Sequence, residues 1–402
     1  MKKPMVGALV AVLVSAGALA GCATTIDGTA VADPSAEAIR LDHGNFSVDP
    51  RVVKASAVQR KVLAANILTN RMVFPWDVDP EFTVTWMSSA HAVVQASNLT
   101  ELKDGDDNEE QLGVAMQKPL TDRSMVYGMA TSRIAESDGS TRYLNLSLIR
   151  MPDDAAAAGA VDDYRRAIGA EVITLPGVSG AAAMERRIEG KDYFSTRTTV
   201  RVLAAAGSHV IVVAASDKGT DGARVRGYAQ KAIAAQQAQL RGFTSPGPAD
   251  LAGLPVDHDG IVSHTVAPEP IDDGRFQPDF GFRESRAALA WMTDPVDAAR
   301  RFEEAGVDLV GVGRNNVYRA ADPAGAAKLA DHLASRERGA SRRFSIDGLP
   351  TARCVAYKAS AVSAERFGCY VPVGRYVSEF HGEQRKNVEQ VSSAAYLLLR
   401  RM

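Results

Sequence analysis

Three thiols carry the most specific chemistry in this 402-residue sequence: Cys22, Cys354 and Cys369. Cys22 closes the run Leu19-Ala20-Gly21-Cys22, behind Lys2, Lys3 and an apolar stretch from Val6 to Ala18. Charge, a short apolar segment and then small residues before a cysteine make a lipoprotein signal. Its thiol is the acceptor for diacylglycerol, and cleavage follows just before it. The apolar stretch is too short for a permanent membrane helix. Two acyl chains, with a third on the new N-terminus, anchor stably where one would not. The expected partner is therefore the membrane, through Cys22, and the expected place is the extracytoplasmic face of the cell membrane. Cys354 and Cys369 remain as an even pair in a compartment where disulfides persist. Closing a loop of that length stabilises by about 3 kcal/mol in the chain-entropy model. Their spacing is not C-x-x-C, so a structural staple is expected and not a redox couple.

Other candidates are weaker. Gly177-Val178-Ser179-Gly180-Ala181 begins like a nucleophile elbow, but its last glycine is absent and a strand should follow, not a helix. Gly311-Val312-Gly313-Arg314-Asn315-Asn316 lacks the third glycine of a dinucleotide loop and also precedes a strand, so it reads as a turn. The seven histidines form no H-x-x-x-H pair. Asp257-His258-Asp259 with His264 reads as polar residues of a connection, and Asp104 to Glu110 as a solvated acidic loop without the fixed offsets of a calcium loop. No metal and no cofactor is expected. Phe74-Pro75-Trp76 reads as a loop that could touch lipid or a partner if exposed.

A formal net charge of −2, with acids and bases interspersed, argues against nucleic acid as a partner. Arginine outnumbers lysine 34 to 12, and alanine is abundant, which points to a GC-rich genome.

The elements that position these residues come as a degenerate repeat. Leu148 to Ala155 runs parallel to Val317 to Ala324, each the end of a strand entering a helix. Asp153 and Asp322 sit at N-cap positions, and Pro323 suits the first helical residue. Helices then run over Ala157–Ile168 and Ala326–Arg336. Leu175-Pro176-Gly177-Val178 parallels Ile346-Asp347-Gly348-Leu349. A hairpin follows in each copy, turning at Gly207-Ser208 and near Gly374, and each copy closes in a helix, Ala223–Leu240 and Lys386–Arg400. Alignment of the copies places Cys354 opposite Ala183 and Cys369 opposite Val202. The unit βαββββα predicts an α+β fold of two related domains, each an antiparallel sheet covered by helices. The expected order is signal peptide 1–21, flexible tether 22–40, N-terminal domain 41–245, linker 246–277 and C-terminal domain 278–402. Leu41 to Gln117 has no repeat partner in this reading, though a helix is expected within Val52–Asn70.

Several motifs together resemble a family. They are Leu41-Asp42-His43-Gly44-Asn45-Phe46, Arg150-Met151-Pro152-Asp153, Leu254-Pro255-Val256-Asp257-His258-Asp259-Gly260 and Gly306-Val307-Asp308-Leu309-Val310. The chain resembles the uncharacterised two-domain lipoproteins of mycobacteria, nocardiae and rhodococci, over nearly its whole mature length. The repeat unit is also loosely similar to sensor domains of mycobacterial kinases and to PsbP-like folds. The resemblance implies an actinobacterial cell envelope and brings no catalytic residues with it. The expected function is a non-catalytic envelope lipoprotein that binds a small ligand or an envelope protein, in a cleft formed between the two domains. The alternatives are a hydrolase whose site assembles only in three dimensions, and a structural envelope component.

Overall fold

The structure is a computed structural model that describes residues 41–102, 107–137, 140–189, 196–218, 222–268, 281–337, 339–358 and 362–402. Cys22, the signal and the tether lie outside the described residues, as does Asp104 to Asp106 of the acidic loop. The first half holds helices α1 (Ala57–Thr69), α2 (Pro75–Val78), α3 (Asp107–Asp122), α4 (Asp154–Ile168) and α5 (Gly222–Leu240). Its strands are β1 (Val84–Val93), β2 (Tyr127–Ser137), β3 (Ser140–Arg150), β4 (Val172–Ile173), β5 (Ala181–Ile188), β6 (Arg197–Ala206) and β7 (His209–Lys218). The second half holds α6 (Ser285–Ala288), α7 (Pro295–Ala305), α8 (Pro323–Arg336) and α9 (Arg385–Leu399). Its strands are β8 (Gly281–Glu284), β9 (Leu309–Val312), β10 (Asn316–Arg319), β11 (Ala340–Ile346), β12 (Leu349–Tyr357), β13 (Arg366–Val373) and β14 (Tyr376–Gly382).

The expected boundaries have visible causes. Asp153 caps α4 by accepting from the Ala156 N–H at 2.7 Å, and Asp322 caps α8 through Gly325 at the same distance. Pro323 sits where its missing N–H leaves no partner wanting. Both hairpins turn on a glycine at positive φ, Gly207 at 56° and Gly374 at 54°. Ser56 and Gln59 close a reciprocal capping box at the start of α1.

Each half forms one antiparallel sheet. The first has strand order β1-β2-β3-β7-β6-β5-β4; read from the opposite edge, the second is β8-β9-β10-β14-β13-β12-β11. The two orders superpose strand for strand. The expected βαββββα unit appears twice, as β3-α4-β4-β5-β6-β7-α5 and β10-α8-β11-β12-β13-β14-α9. Register agrees too: Ala183 pairs with Val202, and Cys354 pairs with Cys369. The repeat also reaches further upstream than its sequence shows. β1 and β2, with α3 between them, correspond to β8 and β9, with α6 and α7 between them. The stretch from Leu41 to Gln117 thus has a partner, hidden because β8 and β9 are only four residues each.

Both faces of both sheets are covered. On the first sheet, α1 and α5 cover a core including Val202 and Val213, while α3 and α4 cover one including Leu203 and Val212. On the second, α9 packs over Val371 and Cys369, and α7 and α8 pack over Val355 and Val377. Alternation along each strand sends neighbouring residues to opposite cores. Among the described residues no helix is long and apolar enough to cross a membrane.

Residues 41–402 pack as one unit. Asn66 on α1 donates to the Phe282 carbonyl at 3.2 Å, and Asn70 accepts from the Ala287 N–H. Arg133, fully buried on β2, donates to the carbonyls of Ala290 at 2.9 Å and Met292 at 3.1 Å. Its guanidinium lies 5.3 Å from the Trp76 ring. Phe74 is buried and stacks on Trp76, which packs against the cores of both halves. Phe74-Pro75-Trp76, expected as a loop, is instead the start of α2, with Phe74 at its N-cap, and forms a wedge between the halves and not a lipid-facing surface. Chain connecting the sheets is also packed: Ile261 and Val262 enter the second core, with Val266 beside α9.

Candidate functional site

A polar hollow lies within the second half, between α7, α8 and the sheet, and not in the seam between the halves. It is a cleft of about 530 Å³. Phe302 and Ala298 on α7, Leu329 and Leu333 on α8, and Met292 supply its apolar wall. Its rim carries Asp294, Asp297, Arg301 and Arg336, and its floor is Tyr370, Glu379 and Glu337.

The floor belongs to a connected network. Tyr370 and Glu379 come from β13 and β14, directly opposite each other. Glu337 follows the last residue of α8. His381 is two residues beyond Glu379 and so shares its face. The His381 Nε2 lies 3.0 Å from Glu379 Oε1, and its Nδ1 lies 2.9 Å from the Tyr357 hydroxyl. Tyr370 donates to Glu337 Oε2 at 2.6 Å, while Tyr318 and Asn316 both donate to Glu379 Oε2. Glu337 Oε1 accepts no hydrogen bond from the described residues.

The electrostatics follow from this geometry. Burial disfavours a charged His381, but the hydrogen bond to Glu379, its charge and that of Glu337 outweigh burial and raise the imidazole pKa. Burial likewise opposes the Glu379 carboxylate, and His381 with the Tyr318 and Asn316 donors turns the balance, lowering its pKa. The two shifts run in opposite directions, each favouring the charged form of its group. Burial, with Glu379 and Glu337 nearby, pushes the Tyr370 and Tyr318 phenols up, so both remain donors. Across the cleft His332 Nε2 meets Asp297 Oδ2 at 2.8 Å. Burial and Arg301 lower the His332 pKa.

A second hollow, about 510 Å³, lies beside His209 and Ser245 in the first half. The His209 Nε2 and Ser245 Oγ are 2.8 Å apart, both residues being buried. Burial and then Arg150 hold the His209 pKa down at about 4. A serine nucleophile needs its histidine to take up a proton and a carboxylate to steady the cation. His209 has Arg150 instead.

The sequence-predicted residues are placed as follows. Cys354 and Cys369 form a disulfide with Cα atoms 4.2 Å apart, on the α9 face and away from the cleft. Ser179 is an exposed turn residue followed by β5, and Gly313 to Asn315 turn between β9 and β10. Asp257 accepts from the backbone of Val262 and Ser263, Asp259 pairs with Arg319, and His264 Nδ1 bonds to the Gly260 carbonyl. These residues shape a turn. Sequence reasoning passed over Glu337, Tyr370, Glu379 and His381, because each alone looks like a solvated residue. The signal lay in the repeat. The register opposes Tyr370 to Leu203, Glu379 to Val212, His381 to Ala214 and Tyr318 to Ile149. Counting from the Asp153 and Asp322 caps opposes Glu337 to Ile168.

No curated protein matches the chain. Among solved structures it is similar to the extracellular domain of PknH from Mycobacterium tuberculosis, at 9% identity and a TM-score of 0.27, covering 42% of this chain and 94% of that one. That likeness is too slight to bear on function. Two family models divide the chain. The N-terminal domain of unknown function DUF7373 matches residues 53–256, and its C-terminal counterpart matches 261–402. Together they cover both sheets, and the chain belongs to this uncharacterised two-domain DUF7373 family.

Proposed function

We propose that this protein is a lipid-anchored, extracytoplasmic envelope protein that binds a small ligand without transforming it, in the cleft between α7 and α8. The observation that carries this reading is the polar floor of the cleft. Ionisable groups held at the base of an apolar-walled hollow mark ligand sites more often than chance. Anchoring rests on the Lys-apolar-small pattern ending at Cys22, and the Cys354–Cys369 bridge is consistent with an oxidising compartment.

A hydrolase is the second reading, favoured by His332 beside Asp297 at the rim of the cleft. Ser335, one turn on, does not serve as its nucleophile, since it gives its hydroxyl to the His332 carbonyl. Native mass spectrometry of the full chain released from detergent tests the binding reading. A noncovalent passenger in the wild type, lost in the cleft-filling variant Leu333→Trp, is expected. An empty wild type would count against a tight small-molecule carrier. Cys22→Ser is expected to move the protein out of the membrane fraction.

A further inference from the structure

The charges around the cleft divide into two groups. At the rim, Arg301 and Arg336 are committed to acids: Arg301 to Glu304 at 2.8 Å, Arg336 to Asp294 and Asp297 at 3.7 and 3.6 Å. Asp297 also holds Arg300 and His332. The rim is therefore paired within itself. At the floor, two carboxylates, Glu337 and Glu379, share one imidazole, His381. Arg366, whose charge also reaches His381, is exposed and does not line the cleft. Carboxylates so outnumber bases at the floor, and Glu337 Oε1 is left without a donor from the described residues.

The Glu337 side chain, 18% exposed, lines the cleft and offers that oxygen to a cation from outside. The first half supplies an independent comparison. There the same positions are filled by Leu203, Val212, Ile149 and Ile168, all within one apolar core. This sheet and helix arrangement therefore does not itself require a polar floor.

Resting on the cleft as the binding site, we propose that its ligand is an amphipathic molecule with a protonated amine. The ammonium group sits against Glu337, and the apolar body lies along Phe302, Leu329 and Leu333. An anionic ligand of the same shape meets repulsion at the floor.

The test uses the full chain in detergent and fluorescence polarisation of matched dansyl probes. One is dansylcadaverine, which ends in a primary amine; the other ends in a carboxylate at the same distance. The amine is expected to bind about tenfold or more tighter than the acid, the scale of one charge-assisted hydrogen bond. Glu337→Gln, a near-isosteric change, is expected to remove that preference, and Leu333→Trp to remove binding of both probes. Equal or tighter binding of the acid, sensitive to Leu333→Trp, overturns the amine and leaves the cleft as the site. Amine binding that survives Leu333→Trp, or absence of amine binding, overturns the proposal. The native-mass passenger then reports separately on whether the cleft is a site at all.

Discussion

Beneath α4 the first sheet presents Leu203, Val212 and Ile149, packed with Tyr164 and Met116 in one apolar core. Beneath α8 the second presents Tyr370, Glu379 and Tyr318 at the same register positions, and leaves a cleft above them. Topology, caps and hairpin turns are shared, so backbone does not explain the difference. Buried ion pairs replaced by apolar groups of similar volume are often neutral or more stable. The polar layer is thus poorly explained as a device for stability, and the contrast between the halves is what the proposed binding role accounts for.

The comparison can be broken most severely from the apolar side. Val212→Glu carries the second half's carboxylate into an apolar core without counterparts of His381 and Tyr370, where the polar residues lining the small hollow beside it are His91, Thr131, Asn145 and Ser147. Burying it is expected to cost roughly 4 kcal/mol or more, seen as loss of cooperative urea unfolding at neutral pH. Little change would mean that the first layer is not apolar. The reverse copy is the double change Cys354→Ala with Cys369→Val, giving the second sheet the Ala183–Val202 pair. The bridged residues are 15 apart, and losing the bridge is expected to cost about 3 kcal/mol. Reductant should weaken the wild type and leave the double variant unchanged.

Two histidines sharpen the contrast through pH. His209 is held neutral, its pKa lowered from 6.5 to about 4. The unfolded chain then binds more protons in that window, so stability falls as pH falls from 6.5 toward 4, by roughly 2 kcal/mol at about pH 5. His209→Gln should flatten that decline. His381 has a raised pKa, so its contribution is complete below 6.5 and is lost as pH rises through its folded value. His381→Gln should therefore cost more in mildly acid than in alkaline urea titrations. The same slope in both variants would mean that the two sites do not differ in charge.

Much of the fold was legible because local signals agreed. Asp153 and Asp322 announce helix starts, and Gly207 and Gly374 announce hairpins, each by a mechanism that acts within a few residues. β8 and β9 were not legible as partners of β1 and β2, since four residues give no measurable alternation. The connection from 246 was read from its Pro, Gly and Asp content, whereas three apolar residues, Ile261, Val262 and Val266, decide its packing. The site was the least legible. Glu337, Tyr370 and Glu379 come from a helix end and two strands, and sequence adjacency says nothing about groups that meet only after the sheet closes. Only the opposition of Glu379 to Val212, and its like, carried a trace.

The central claim is that the polar floor serves a ligand and not the fold. Its direct test replaces the network with apolar groups of similar volume: Tyr318→Phe, Glu337→Met, Tyr357→Phe, Tyr370→Phe, Glu379→Met and His381→Leu together. The measurement is the Tm of this variant beside that of the full chain, with dansylcadaverine binding followed in the same samples. An unchanged or higher Tm with binding abolished is the predicted result. A large fall in Tm would falsify the claim and make the network a structural element of the second half.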